Sequence, residues 1–215
     1  MLVSEREFID LTRWNAECDL PGVGRLSIRA LTPDDLELER RFIESLSPET
    51  LRMRVLGAVK GVTDDQLAQL VRFDWSRELA LAAVRRAGED FLLPARVPAV
   101  RPGVDELVSV ARIAPSGAPG VAEFAVVVGD RYQGLGLGEE MMRRIRDAAR
   151  KMGYRTLQGA TMAGNERMLG LAERLGFGTS PDPEDSSLVL MSCPTQALRR
   201  SARRSRAGMR LSLPW

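Results

Sequence analysis

VAEFAVVVGDRYQGLGLGEEMMRRIRDAARKM, residues 121–152, decides how the chain is read: an apolar run, a glycine-rich turn and a segment of helical period follow one another without a break. Residues 123–128 combine β-branched and aromatic side chains and read as a buried strand. Glu123 stands in it where an apolar residue is expected. The strand stops at Gly129-Asp130. Gln133, Gly136 and Gly138 then fit the spacing Q/R-x-x-G-x-G, and Met141, Met142, Ile145, Ala148, Ala149 and Met152 fall on one face of the helix that follows.

Glycines between a strand and a helix let backbone N–H groups approach a ligand with no Cβ in the way, and the first amides of a helix favour negative charge. The turn therefore reads as a diphosphate cradle. The same spacing also serves dinucleotide-binding folds or tight packing alone. A dinucleotide fold calls for an acidic residue about 20 positions on, closing the next strand. Residues 156–163, TLQGATMA, offer none. No Gly-Lys-Ser/Thr follows, which excludes a P-loop.

Composition sets the outer bounds. A chain of 215 residues, 44% hydrophobic, buries a full core as one domain. It has no apolar run of 18 residues, and the opening MLVSEREFIDLTRW carries acids where a signal peptide needs an apolar segment, so a cytoplasmic protein without a membrane span is expected. Cys18 and Cys193 fit no CxxC pattern and read as free thiols. The absence of histidine removes Ser-His-Asp and Cys-His triads and all histidine-containing zinc sites, and no metal is expected. A general base has to be a carboxylate, Tyr, Lys or Cys. The net charge of +2 hides an asymmetry: Arg199, Arg200, Arg203, Arg204, Arg206 and Arg210 have no acid among them, and residues 1–198 hold 25 basic against 29 acidic side chains.

Working outward, residues 1–24 show no clear period and read as an N-terminal extension with a short helix over 5–14 and a turn at Pro21-Gly22-Val23-Gly24. Leu26, Ile28 and Ala30 alternate with Arg25, Ser27 and Arg29, a half-buried strand. Thr32-Pro33-Asp34-Asp35 is a helix start, the helix running to about Ser45, and Ser47-Pro48 opens another through Arg54. Thr63-Asp64-Asp65-Gln66 is a capping box for a helix ending near Phe73. Strands are expected over 79–84, 107–114, 121–128 and 156–162, with a hairpin turn at 115–120. Asn165 caps a helix closed by Gly176, and strands over 177–179 and 187–191 follow. Residues 87–106 hold three prolines and no period, and read as a surface insertion or a loop near the site.

Val126-Val127-Val128, the turn RYQGLGLG, the helix ending at Gly153, the next strand and NERMLGLAERLGF resemble the coenzyme-binding core of the GNAT acyl-CoA N-acyltransferases. SIRALTPDDLELERRFIESLSPETLRMRV, TDDQLAQLVRFDWSRELALAAV and AEFAVVV are similar to the acetyltransferase domain of bacterial Pat-type protein lysine acetyltransferases, over residues 26–191 with the insertion as one interruption. The resemblance implies an α/β (α+β) domain over residues 25–194, with a mixed, largely antiparallel sheet flanked by helices and a splayed central strand pair. An arginine-rich tail over 195–215 follows it. It also implies transfer of acetyl from acetyl-CoA directly to an amine.

Carried over residue by residue, the resemblance places Val126 and Val128 on pantetheine and the amide of Val127 near the oxyanion. Arg131, Gln133, Gly134, Leu135, Gly136, Leu137 and Gly138 form the diphosphate turn. Asn165 is either a helix cap alone or a cap that also bonds pantetheine, and the Arg131 side chain is either a ligand contact or a solvated loop residue. Glu123 matches the catalytic glutamate of Pat enzymes; its alternative is an ion pair or strand-edge exposure. The family's tyrosine, seven positions past the asparagine, is replaced by Ala172. The favoured acceptor is a protein lysine, in Pat relatives often on an acyl-CoA synthetase. A small-molecule amine is the second class and a non-catalytic acyl-CoA-binding module the third. The arginine tail reads as a solvated end rather than a nucleic-acid element.

Overall fold

The computed structural model describes residues 10–56, 63–87 and 103–196. Its strands are β1 (Ala16–Leu20), β2 (Gly24–Ala30), β3 (Leu79–Arg85), β4 (Glu106–Pro115), β5 (Val121–Val128), β6 (Thr156–Met162), β7 (Gly178–Pro181) and β8 (Leu188–Pro194). Its helices are α1 (Leu36–Ser45), α2 (Pro48–Val55), α3 (Asp64–Leu70), α4 (Leu137–Lys151) and α5 (Glu166–Arg174). The strands form one sheet in the order β1-β2-β3-β4-β5-β6-β8-β7, antiparallel throughout except at β5–β6. This is the mixed, largely antiparallel α/β architecture expected.

Three helices, α2, α3 and α5, begin where their sequence signals a cap. Thr63 and Gln66 form the capping box of α3, Ser47 accepts from the Thr50 amide at α2, and Asn165 accepts from the Met168 amide at α5. In α4 the stripe of Met141, Met142, Ile145, Ala148 and Ala149 is buried, each large side chain contributing roughly 1.5–3 kcal/mol of transfer free energy. Its outer face is laced by Glu139–Arg143 and Glu140–Arg144 pairs one turn apart. α4 and α5 cover one face of the sheet, meeting Ala122 and Phe124 of β5. α1 and Val71, just past α3, cover the other, where Val110 of β4 and Val127 of β5 lie.

The central pair is what shapes the molecule. β5 pairs with β4 along its whole length but with β6 only through Val121–Thr156, Ala122–Leu157 and Glu123–Gln158. Beyond Glu123 the two strands part, and β6 continues against β8 alone. Gly159 lies at the fork: a Cβ there would come within 2.8 Å of the Phe124 ring and 3.0 Å of its carbonyl oxygen. Only glycine leaves room for Phe124 to cross the base of the split.

Some elements differ from expectation. Residues 16–20 form edge strand β1, paired with β2 around the Pro21–Val23 turn, rather than standing outside the sheet. Of the helix expected over 5–14, Leu11–Trp14 is a 3₁₀ turn capped by Asp10, and residues 1–9 lie outside the described residues. α3 ends three residues before Phe73, whose ring instead packs on Trp75 at 4.9 Å between centroids. β8 runs to Pro194, three residues further than expected, because β6 pairs with it to the end. Residues 88–102 of the insertion and 197–215 of the arginine tail also lie outside the described residues. Among those described, no helix is long and apolar enough to cross a membrane.

Candidate active site

The parting of β5 and β6 opens a cleft of about 890 Å³. The Gly129 amide donates to Val108 and the Ser116 amide to Val121, so odd-numbered residues of β5 exchange hydrogen bonds with β4. The N–H and C=O groups of Phe124, Val126 and Val128 therefore turn the other way, toward the side that β6 has left. This corrects one expectation: the Val127 amide belongs to the β4 ladder, and its carbonyl accepts from the Ser109 hydroxyl at 2.7 Å. The backbone groups facing a ligand are the N–H and C=O of Val126 and the N–H of Val128, whose carbonyl already accepts from Gln133, and Val127 still forms part of the cleft wall.

The glycine turn forms the far end of the cleft. Gly134 and Gly136 have φ of 74° and 88°, and a Cβ on either would meet no protein atom within 4 Å. Gly136 is also the N-cap of α4 and brings no side chain to its first amides. An anion fits that arrangement, held by backbone donors and the positive helix end.

Of the residues singled out from sequence, Val126, Val127, Val128, Gln133, Gly134, Gly136, Gly138 and Asn165 all line the cleft. The others lie off its wall. The Arg131 side chain is exposed, the Leu135 side chain packs partly on the core and Leu137 is fully buried, so the two leucines contribute backbone and packing. Glu123 has no exposed surface and sits one residue before the wall begins at Phe124, on the last β5–β6 pair. By strand alternation it shares a face with Ala125 and Val127, the face that carries Arg112 of β4. Arg112 pairs with the buried Glu39 of α1, donates to the Leu70 carbonyl and lies over the Phe73 ring. Arg54 of α2 stands on the cleft wall near that pair. Burial, then the neighbouring Arg112 charge, pushes its guanidinium down to about 10 against the opposing pull of Glu39.

Gln133 is more than a turn amide. Its side-chain nitrogen donates to the Val128 carbonyl and to the Thr50 hydroxyl, both at 3.1 Å, and its oxygen accepts from Arg167 of α5 at 2.6 Å. Asn165 caps α5 and also donates to the Thr161 hydroxyl at 2.9 Å, so its structural role and its place on the cleft coexist.

Sequence reading missed three contributors. The Tyr132 hydroxyl, buried under the turn, donates to Glu106 at 2.7 Å and accepts from Arg85 at 3.0 Å. Burial, with the Glu106 carboxylate adding to it, pushes the phenol up to about 12. Asp130 accepts from the Ser47 amide and hydroxyl and from the Thr50 hydroxyl. Partial burial raises its carboxyl, but those donors outweigh it and hold the pKa below the usual range. Arg167, on the cleft wall, is set by Gln133. The partners of Tyr132 and Asp130 lie 26 to 83 residues away in sequence, so no local pattern announces them.

Comparison with known proteins agrees with this architecture. The model of the Acetyltransferase (GNAT) family matches residues 63–177. Acetyltransferase PA5475 of Pseudomonas aeruginosa is 36% identical over 163 residues, covering 76% of this chain and 80% of that protein. Among solved structures, the GNAT domain of S. lividans PAT superimposes with a TM-score of 0.70 at 22% identity, over 85% of this chain and 97% of that one. YncA of Salmonella typhimurium, a putative acetyltransferase solved with acetyl-CoA, gives 0.57 at 17% identity, over 81% and 96%. With a split β5–β6 pair, a glycine turn at the start of α4 and a family match across more than half its length, the chain belongs to the GNAT acetyltransferase family.

Proposed function

We propose that the cleft binds acetyl-CoA and that the enzyme moves its acetyl group directly to an amine, with a protein lysine as the favoured acceptor. The observation that carries this reading is the fork after Glu123: it leaves the backbone of Val126 and Val128 open to a pantetheine arm and ends at a glycine turn suited to a diphosphate. The acetyl-CoA in the YncA structure supports the same donor here.

In the proposed reaction an ammonium loses a proton, its nitrogen attacks the thioester carbonyl, the C–N bond forms and the C–S bond breaks. Coenzyme A leaves as thiolate, and the nitrogen sheds its second proton to give the amide. A lysine ammonium has a reference pKa of about 10.4, so a base is needed at neutral pH. Glu123, at the apex of the fork and one residue from the wall, is assigned that role. The position of the family tyrosine is Ala172, fully buried in the core, so that position supplies no hydroxyl to the thiolate. A thiol with a pKa of about 8.5 leaves adequately without one.

The acceptor class is tested by incubating the enzyme with labelled acetyl-CoA and host lysate. Label is expected in protein bands at lysine. Label confined to small molecules would make the acceptor a free amine, and label in neither fraction would leave an acyl-CoA-binding module.

A further inference from the structure

α2 forms the near wall of the cleft through Thr50, Met53 and Arg54. It is a short helix, and it lacks the Glu or Gln three positions after its N-cap that completes a capping box. That place is taken by Thr50, and the missing carboxylate comes from Asp130 of the glycine turn, 83 residues on from Ser47. Asp130 Oδ2 accepts from the Ser47 amide at 2.8 Å. Its Oδ1 accepts from the hydroxyls of Ser47 and Thr50, both at 2.7 Å. The Thr50 hydroxyl in turn accepts from Gln133 at 3.1 Å. The start of α2 is thus capped from the segment that carries the diphosphate turn, and a carboxylate at a helix N-terminus also favours the helix dipole.

We propose that Asp130 is a positioning residue that couples the glycine turn to α2: coenzyme binding at the turn fixes Asp130 and Gln133, and through them orders α2 as a wall of the cleft. The inference rests on the coenzyme assignment above. Its physical content is a linkage: a ligand that stabilises the turn stabilises the cap, and α2 gains order through the cap in addition to any contact it makes with the ligand itself. A residue serving only overall stability would alter α2 equally in the free and bound protein.

Hydrogen exchange of the amides of residues 51–55, with and without saturating coenzyme A, distinguishes the two. In the wild type, coenzyme A should slow their exchange about fivefold or more, within the usual range of intersite coupling. In Asp130→Ala these amides should exchange faster in the free protein, and the slowing on binding should vanish. Amides 139–143 of α4 should still be protected on binding, and by reciprocity the calorimetric Kd for coenzyme A should weaken by no more than about the fivefold coupling that is lost. Thr50→Val, which keeps the side-chain shape and removes the hydroxyl, should lose most of the same slowing and decides the matter if Asp130→Ala does not fold. Wild-type slowing retained in both folded variants, or in Thr50→Val alone where Asp130→Ala does not fold, would overturn the proposal. So would a wild type whose α2 ignores bound coenzyme A. Failure of the wild type to bind coenzyme A would overturn the site assignment itself.

Discussion

Glu123 and Tyr132 both lie just off the cleft wall, and a substitution at each tests a different role. Glu123→Gln keeps the shape of the buried side chain and removes its basicity. If Glu123 is the base, turnover at pH 7 falls by ~10²–10⁴, acetyl-CoA affinity stays near wild type, and part of the rate returns as rising pH supplies free amine. Steady-state kinetics with saturating acceptor checks this, and wild-type turnover in a folded variant would make the carboxylate structural. Tyr132→Phe acts through the turn. It removes a buried donor to Glu106 and an acceptor for Arg85, at an expected cost of about 1–3 kcal/mol in urea unfolding. An unchanged midpoint would mean that those partners re-pair without loss. Glu123 was legible from sequence as the single charge in an apolar strand, whereas Tyr132 sits in a glycine turn where an aromatic signals nothing until β3 and β4 are placed beneath it.

At the scale of elements, the fork between β5 and β6 depends on Gly159. Gly159→Ala sets a Cβ against the Phe124 ring and backbone, and overpacking of that kind costs about 1–3 kcal/mol, readable as a lowered urea midpoint; an unaffected midpoint would show that Phe124 can move aside. The cap of α2 carries a pH signature. Because the Asp130 carboxyl lies below its usual range in the folded protein, the stability it contributes is present above the unfolded value of about 3.9 and is lost as pH falls through the lower folded value. Between about pH 5 and pH 3 the wild type should therefore lose stability faster than Asp130→Asn, and parallel losses would remove Asp130 from the account. The elements most legible in sequence were those with both a period and a cap: β5, β6, α4 and α5. β1 escaped notice because Ala16, Cys18 and Leu20 alternate with acids too weakly apolar to stand out, and its place is fixed by pairing with β2. That Val127 turns its backbone to β4 also needed the register, since strand alternation gives the face of a side chain and not the ladder to which its amide belongs.

For the molecule as a whole, most strands and helices were readable one by one, their assembly into a mixed sheet flanked by helices came from the family resemblance, and the cleft follows from the parting of β5 and β6. The central claim is that this cleft, ending at the glycine turn, is the coenzyme site. Gly136 tests it without reference to the acceptor. At its φ of 88° the Cβ of Gly136→Val would meet no protein atom within 4 Å; the substitution costs about 1–2 kcal/mol or more of backbone strain and places a branched side chain where the diphosphate is expected. Calorimetric titration of acetyl-CoA into the wild type and the folded variant is the decisive measurement. The account predicts binding by the wild type and at least about tenfold weaker binding, or none, by Gly136→Val, about 1.4 kcal/mol or more. Equal affinity in the two folded proteins would contradict it.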